Sequence, residues 1–198
     1  MTFTTPVYFS HRLPLLSSSL ILSLMLSLCC LSFPSKATGS ATEYQVKAAF
    51  LYNFINFIAW PDTAFSDQSS PYVICIMGED PFGGLLEVTT ANVTAKGRHL
   101  TVKRLSSREN PDVCHILFIS TSEQQNLESL LPSLQQKSIL TVSEIEDFVH
   151  EGGFIEFYTV RSKIRLKINR DALESAGLKA DGTLLNLANI CDRSGCQQ

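Results

Sequence analysis

The chain has 198 residues, 44% of them hydrophobic and 18% charged, with a formal net charge of −3. That balance excludes a long disordered protein and a collagen-like repeat, and its length fits one domain or at most two small ones. Only one apolar stretch is long enough to span a bilayer, which excludes a polytopic membrane protein.

That stretch is Leu15–Phe33, densest over Leu20–Leu31. Residues 1–42 carry His11, Arg12 and Lys36 and no carboxylate. Arg12 precedes the apolar run, and Ser35, Ala37, Gly39 and Ala41 follow it. A basic start, an apolar middle and a small-residue end predict a secretory signal peptide over residues 1–37, cleaved after Ala37 or Ala41. An uncleaved anchor helix is the competing reading. The six serines within the stretch favour cleavage. Leu28 and Cys29, which precede Cys29 and Cys30, are poor matches to the small residue expected before a lipidated cysteine. Cleavage after Ala37 leaves 161 residues with 14 basic and 19 acidic side chains. An acidic exported domain of this kind is neither inserted in a membrane nor an electrostatic binder of nucleic acid.

The remainder divides into a domain at 38–190 and a short tail at 191–198. Glu43–Trp60 predicts a long helix, ended by Pro61. Ala48, Leu51, Ile55 and Ile58 form one apolar stripe at helical spacing. Phe50, Phe54 and Phe57 form a second. A helix apolar nearly all round is a core helix, and the second stripe is the candidate surface for a dimer or partner. Tyr72–Met77 reads as a buried strand. The loop Gly78, Glu79, Asp80, Pro81, Phe82, Gly83, Gly84 follows, with Asp80 as cap and Pro81 at the first position of a short helix. His99–Leu105 is an alternating strand and Cys114–Ser120 a second buried one. Thr121 or Ser122 caps a helix over Glu123–Leu134. Ile139–Val142 is a short strand, and Ser143–Val149 a helical turn with Ser143 and Glu146 as a capping box. Phe154–Tyr158 and Arg161–Ile168 form a hairpin, and Arg170–Ala176 and Thr183–Ile190 are terminal helices. The alternation predicts an α/β fold: one three-layer domain, a mainly parallel sheet, an antiparallel C-terminal hairpin and a long N-terminal helix.

Four cysteines remain after the leader: Cys75, Cys114, Cys191 and Cys196. An exported protein meets an oxidising compartment. Two cysteines lie in or beside apolar strands and two in a polar tail, so the favoured pairing is Cys75–Cys114 and Cys191–Cys196. A metal site at Cys75, Cys114 and His115 lacks the paired spacing of zinc ligands. A catalytic thiol needs an exposed site beside a base, which the apolar flanks of Cys75 do not offer.

The loop at Gly78, Glu79, Asp80 and Phe82 stands where open α/β sheets often take ligands, at the carboxyl end of a strand. It carries no dinucleotide or phosphate-loop signature, and its carboxylates discourage an anion. Arg161, Lys163, Arg165 and Lys167 alternate along one strand and read as a solvated face paired with Glu156. Ser, His and Asp residues form no catalytic motif, and nothing calls for a metal or cofactor. The chain reads as a non-enzyme.

Several blocks together carry a resemblance. They are VKAAFLYNFINFIAWP at 46–61, ICIMGEDPFG at 74–83, CHILFIS at 114–120, LTVSEIEDF at 140–148, GGFIEF at 152–157 and IRLKIN at 164–169. In this order they resemble the YfiR family of exported bacterial proteins. The resemblance implies a periplasmic, homodimeric regulator that binds the periplasmic domain of an inner-membrane diguanylate cyclase. Such a regulator holds the cyclase inactive, lowering cyclic di-GMP and biofilm formation. It also implies a bridge between Cys75 and Cys114. The family's second bridge falls in the region matching 144–157, where this chain has no cysteine. The alternative function is a periplasmic small-molecule-binding protein with 78–84 as part of its pocket.

Overall fold

The computed structural model describes residues 38–192 and 195–197, so the predicted signal peptide lies outside the described residues. The first helix, α1, spans Thr38–Phe57. It stops three residues short of Trp60 because Ile58–Ala59 turns extended as β1. β1 pairs antiparallel with β9, Lys179–Ala180, so ladder formation ends the helix before Pro61 does.

The other elements follow in order: β2 Tyr72–Met77, α2 Leu85–Thr90, β3 Thr94–Ala95, β4 Arg98–Leu105, β5 Ile116–Ile119, α3 Leu127–Leu134, β6 Leu140–Ser143, β7 Ile155–Val160 and β8 Lys163–Asn169. After β8 come α4 Arg170–Ser175, β9, α5 Gly182–Leu187, β10 Ala188–Asp192 and β11 Gly195–Gln197. Nine strands form one sheet in the order β11-β10-β8-β7-β6-β5-β2-β4-β3. β4, β2, β5, β6 and β7 run parallel, and β7 and β8 form the antiparallel hairpin. β10 then returns parallel to β8, and β11 folds back antiparallel on β10.

Side chains on successive strand residues point to opposite faces, and the core divides accordingly. Ile74 and Ile76 of β2 and Ile116 and Phe118 of β5 pack under α1 with Leu51, Phe54 and Ile55. Val73, Cys75, Met77, Leu117 and Ile119 face the other way, onto Leu127, Leu131 and Leu134 of α3. A strand buried on both faces needs the continuous apolar runs seen at 72–77 and 116–119, and all ten of those positions are buried.

Five local readings are corrected. Thr183–Ile190 is not one helix: α5 ends at Leu187, and the next residues join the sheet, with Ile190 opposite Ile168. The segment read as a tail supplies the end of β10 and all of β11. Asp80 does not cap a helix: its Oδ1 accepts from the Phe82 N–H at 2.8 Å, and α2 begins only at Leu85. Gly83, at φ +57, breaks the turn between them. Ser143 ends β6 rather than opening a capping box, its Oγ donating to the Ile119 carbonyl and accepting from the Ile145 N–H. At 121–134, a 3-10 turn over Thr121–Asn126 leads into α3, and Ser122 serves the loop after β2 instead of capping. Among the described residues, no helix is long and apolar enough to cross a membrane.

Candidate functional site

The N-terminal half of α1 lies over the carboxyl ends of β5 and β6. Lys47 anchors it there. This lysine is buried to 3% exposure. Its Nζ pairs with Glu43 Oε1 at 2.6 Å, one turn earlier, and with Glu144 just beyond β6. Tyr44 donates its hydroxyl to the other Glu144 oxygen at 2.9 Å. Burial, then the Glu144 carboxylate, push the Tyr44 phenol pKa up, so it stays a donor. Beside this group, Lys167 of β8 pairs with the buried Glu156 of β7 at 2.7 Å, directly across the hairpin. Buried pairs add little net stability over apolar packing, but stranding one partner costs about 3–5 kcal/mol. These charges therefore fix where α1 sits.

Next to this network is a groove of about 710 Å³. Val46 and Phe50 of α1 and Ile164 of β8 give it apolar walls, and Glu43, Thr159, Ser162 and Lys163 line its edges. Val46 is 41% exposed. A second recess of about 500 Å³ shares Glu43 and Thr159 and contains Lys47, Glu144 and Lys167. The combined surface has an apolar strip flanked by paired charges, the composition of a contact surface with a polar rim.

The three phenylalanines read as one stripe do different work. Phe54 is fully buried and stacks on Phe157 at 6.1 Å, so it belongs to the core and reaches no partner. Phe50 is half-buried, packed on Phe157 at 5.9 Å and open to the groove. Phe57 is half-buried against the same core. Of the groove residues, Lys163 was read only as part of a solvated cation face and Ile164 as an apolar residue of the same strand, while Val46 was not singled out.

The loop after β2 is closed on itself. Gly78 has φ +87, and a Cβ there would fall 2.4 Å from Ser122 Oγ, so only glycine fits. The Glu79 N–H donates to that same Oγ at 2.9 Å. Asp80 Oδ2 accepts from Arg104 Nε at 2.8 Å. Phe82 is buried edge-on against Phe118 at 4.8 Å and Tyr44 at 5.5 Å. The Asp80 carboxylate, the Glu79 N–H and the Phe82 ring are thus already engaged within the chain.

Cys75 and Cys114 are bridged within the second core, both buried. Cys191 and Cys196 are bridged across the β10–β11 pair, where they stand directly opposite each other. His115, next to Cys114, turns away from its bridge and stacks on Phe65 at 4.6 Å. Its Nδ1 accepts from the Val73 N–H, and its Nε2 faces the Ala64 backbone without closing a hydrogen bond of good geometry. Burial pulls its pKa down to about 4, helped by the charge of Arg98 and opposed by the Ala64 backbone. Of the four cations read as one strand, Arg161 lies in the turn before β8 at φ +49, Lys167 is committed to Glu156, and Lys163 and Arg165 are exposed.

Two disulfides on a three-layer α/β domain fit an oxidising compartment. The exposed groove beside the β7–β8 hairpin joins an apolar strip to a polar and charged edge. The chain belongs to the YfiR/HmsC-like family, whose profile matches residues 44–189. A search of curated proteins finds no match to it.

Proposed function

We propose that the chain is a non-catalytic periplasmic regulator. It binds the periplasmic domain of an inner-membrane diguanylate cyclase and holds the cyclase inactive. Family membership over 44–189 carries this reading. The disulfides support an exported location, with residues 1–37 as the cleaved signal peptide and the following domain as the mature protein. The groove between α1 and the hairpin supports a docking role.

A repressor of this kind performs no bond chemistry. It needs only to bind one state of its partner more tightly than the other. A preference of about 100-fold corresponds to roughly 2.7 kcal/mol, within reach of one or two aromatic or aliphatic anchors. Phe50 and Val46 are the anchors this surface offers. A homodimer is part of the same reading, and it uses the same exposed strip or leaves it to the cyclase.

Deletion of the gene raises cyclic di-GMP only in cells that express a membrane cyclase with a periplasmic domain. Unchanged cyclic di-GMP after clean deletion, with the cyclase expressed, rejects the reading. Val46→Asp separates binding from folding. Because Val46 is exposed, the variant keeps its circular dichroism spectrum while losing capture of the cyclase domain.

A further inference from the structure

Three side chains from separate parts of the chain converge at the C-terminal edge of the sheet. His150 comes from the turn after β6, Cys191 from β10 and Cys196 from β11. Their ligand atoms all lie within 4.8 Å of one another. His150 Nε2 is 3.6 Å from Cys196 Sγ. The fold holds them there by ordinary pairing. Cys191 stands opposite Asn169 in the parallel β8–β10 ladder. Asn169 Nδ2 donates to the carbonyl of Val149, the residue before His150, at 2.9 Å. One asparagine thus ties the histidine turn to the strand next to the cysteine strand.

The surroundings suit a ligand that enters from solvent. Cys191 is buried, whereas His150 and Cys196 are exposed. A recess of about 450 Å³ opens beside them, lined by His150, Asn169, Asp171 and Asp192 among others. The Cys-x4-Cys spacing lies within the range of zinc ligand pairs.

We propose that these three residues form a binding site for a thiophilic divalent cation of the Zn²⁺ type, closed while Cys191 and Cys196 are bridged and opened by their reduction. A dithiol reductant attacks Cys196, the exposed sulfur. Its thiolate forms a mixed disulfide and Cys191 leaves as thiolate. The second thiol of the reductant resolves that bond and becomes the oxidised product. Two electrons and two protons pass to the cysteine pair. Zn²⁺ then displaces both thiol protons and takes two sulfurs, His150 Nε2 and one water.

Tetrahedral bonds of about 2.3 Å to sulfur and 2.0–2.1 Å to nitrogen require an N···S separation of roughly 3.6 Å and an S···S separation of roughly 3.8 Å. The His150–Cys196 distance already has the required value. The two sulfurs must part and Cys191 Sγ must settle at the same distance from the His150 ring nitrogen, within 4.8 Å of which it already stands, and the end of a two-stranded ribbon at the sheet edge leaves room for both shifts.

The test uses the purified mature chain, reduced with a phosphine and freed of excess reagent. Thiol titration first establishes that two thiols appear per chain, with the buried Cys75–Cys114 bridge intact. Zn²⁺ titration then gives one bound ion per reduced chain and none on the oxidised chain. Co²⁺ in its place gives a thiolate-to-metal charge-transfer band. His150→Ala, at an exposed position, keeps the fold by circular dichroism and weakens binding by about tenfold or more. Equal binding by the oxidised chain, no binding after reduction, or binding indifferent to both His150→Ala and Cys196→Ser overturns the proposal.

Discussion

At the centre of the sheet, Cys75 and Cys114 are bridged and His115 is the next residue in the chain. At the C-terminal edge, Cys191 and Cys196 are bridged and His150 lies 46 residues away from Cys196 in sequence. The neighbours in sequence diverge, because successive residues of an extended segment face opposite sides: Cys114 packs toward α3 and His115 toward Phe65 and Tyr72. The distant residues converge, because β10 docks on β8 and carries the bridge to the turn that holds His150. The resemblance puts a second family bridge at 144–157, and the C-terminal hairpin delivers one beside that segment in space. The same residue types therefore serve as a sealed strut in one place and an accessible cluster in the other.

The contrast breaks most visibly at the central bridge. It closes a separation of 39 residues, for which the chain-entropy argument gives about 4 kcal/mol. Cys75→Ala with Cys114→Ala is expected to lose roughly that much in urea unfolding. A loss below about 1 kcal/mol makes the bridge incidental to stability.

The two histidines sharpen it next. His115 titrates near 4 when folded against a usual value of 6.5. Between those values the unfolded chain binds the proton and the folded chain does not. Stability therefore falls as pH drops from 6.5 to 4, by about 3 kcal/mol in all, and the His115 contribution stops falling below that window. His115→Asn keeps an acceptor near the Val73 N–H and removes this part of the pH slope. An unchanged slope in that variant assigns the acid sensitivity to other groups.

The edge bridge has the smallest expected effect. It closes a separation of only 5 residues, worth about 2 kcal/mol by the same argument. Cys191→Ser with Cys196→Ser is expected to lose no more than that, with faster amide exchange confined to β10 and β11. An equal loss at both bridges erases the contrast.

How much of this was legible in the chain depends on the reach of each interaction. YVICIM and ILFI announced buried strands because burial on both faces leaves no polar position. The hairpin at 155–169 was legible from alternation. The end of α5 was not, since Leu184, Leu185 and Leu187 suit a helix and Ile190 suits either state. Pairing with β8 decided it, and no local pattern contains β8. The capping readings at Asp80 and Ser143 failed for a similar reason: each side chain found a nearer or better-placed partner in the loop it occupies. Glu43 and Lys47 were a readable pair at helical spacing. Glu144, which makes that lysine a buried anchor, is 97 residues from it. The groove depends on the hairpin crossing α1, so its members were visible singly and never as a set.

That last separation also sets a schedule for the newborn chain. Synthesis proceeds at roughly 5–20 residues per second, so Lys47 is made about 5–20 s before Glu144 exists. Throughout that interval α1 has Ala48, Leu51, Phe54 and Ile55 and no completed sheet to cover them. The first helix of the domain is thus made before the strands that cover its apolar face. A helix with this timetable is a natural client for factors that hold nascent chains.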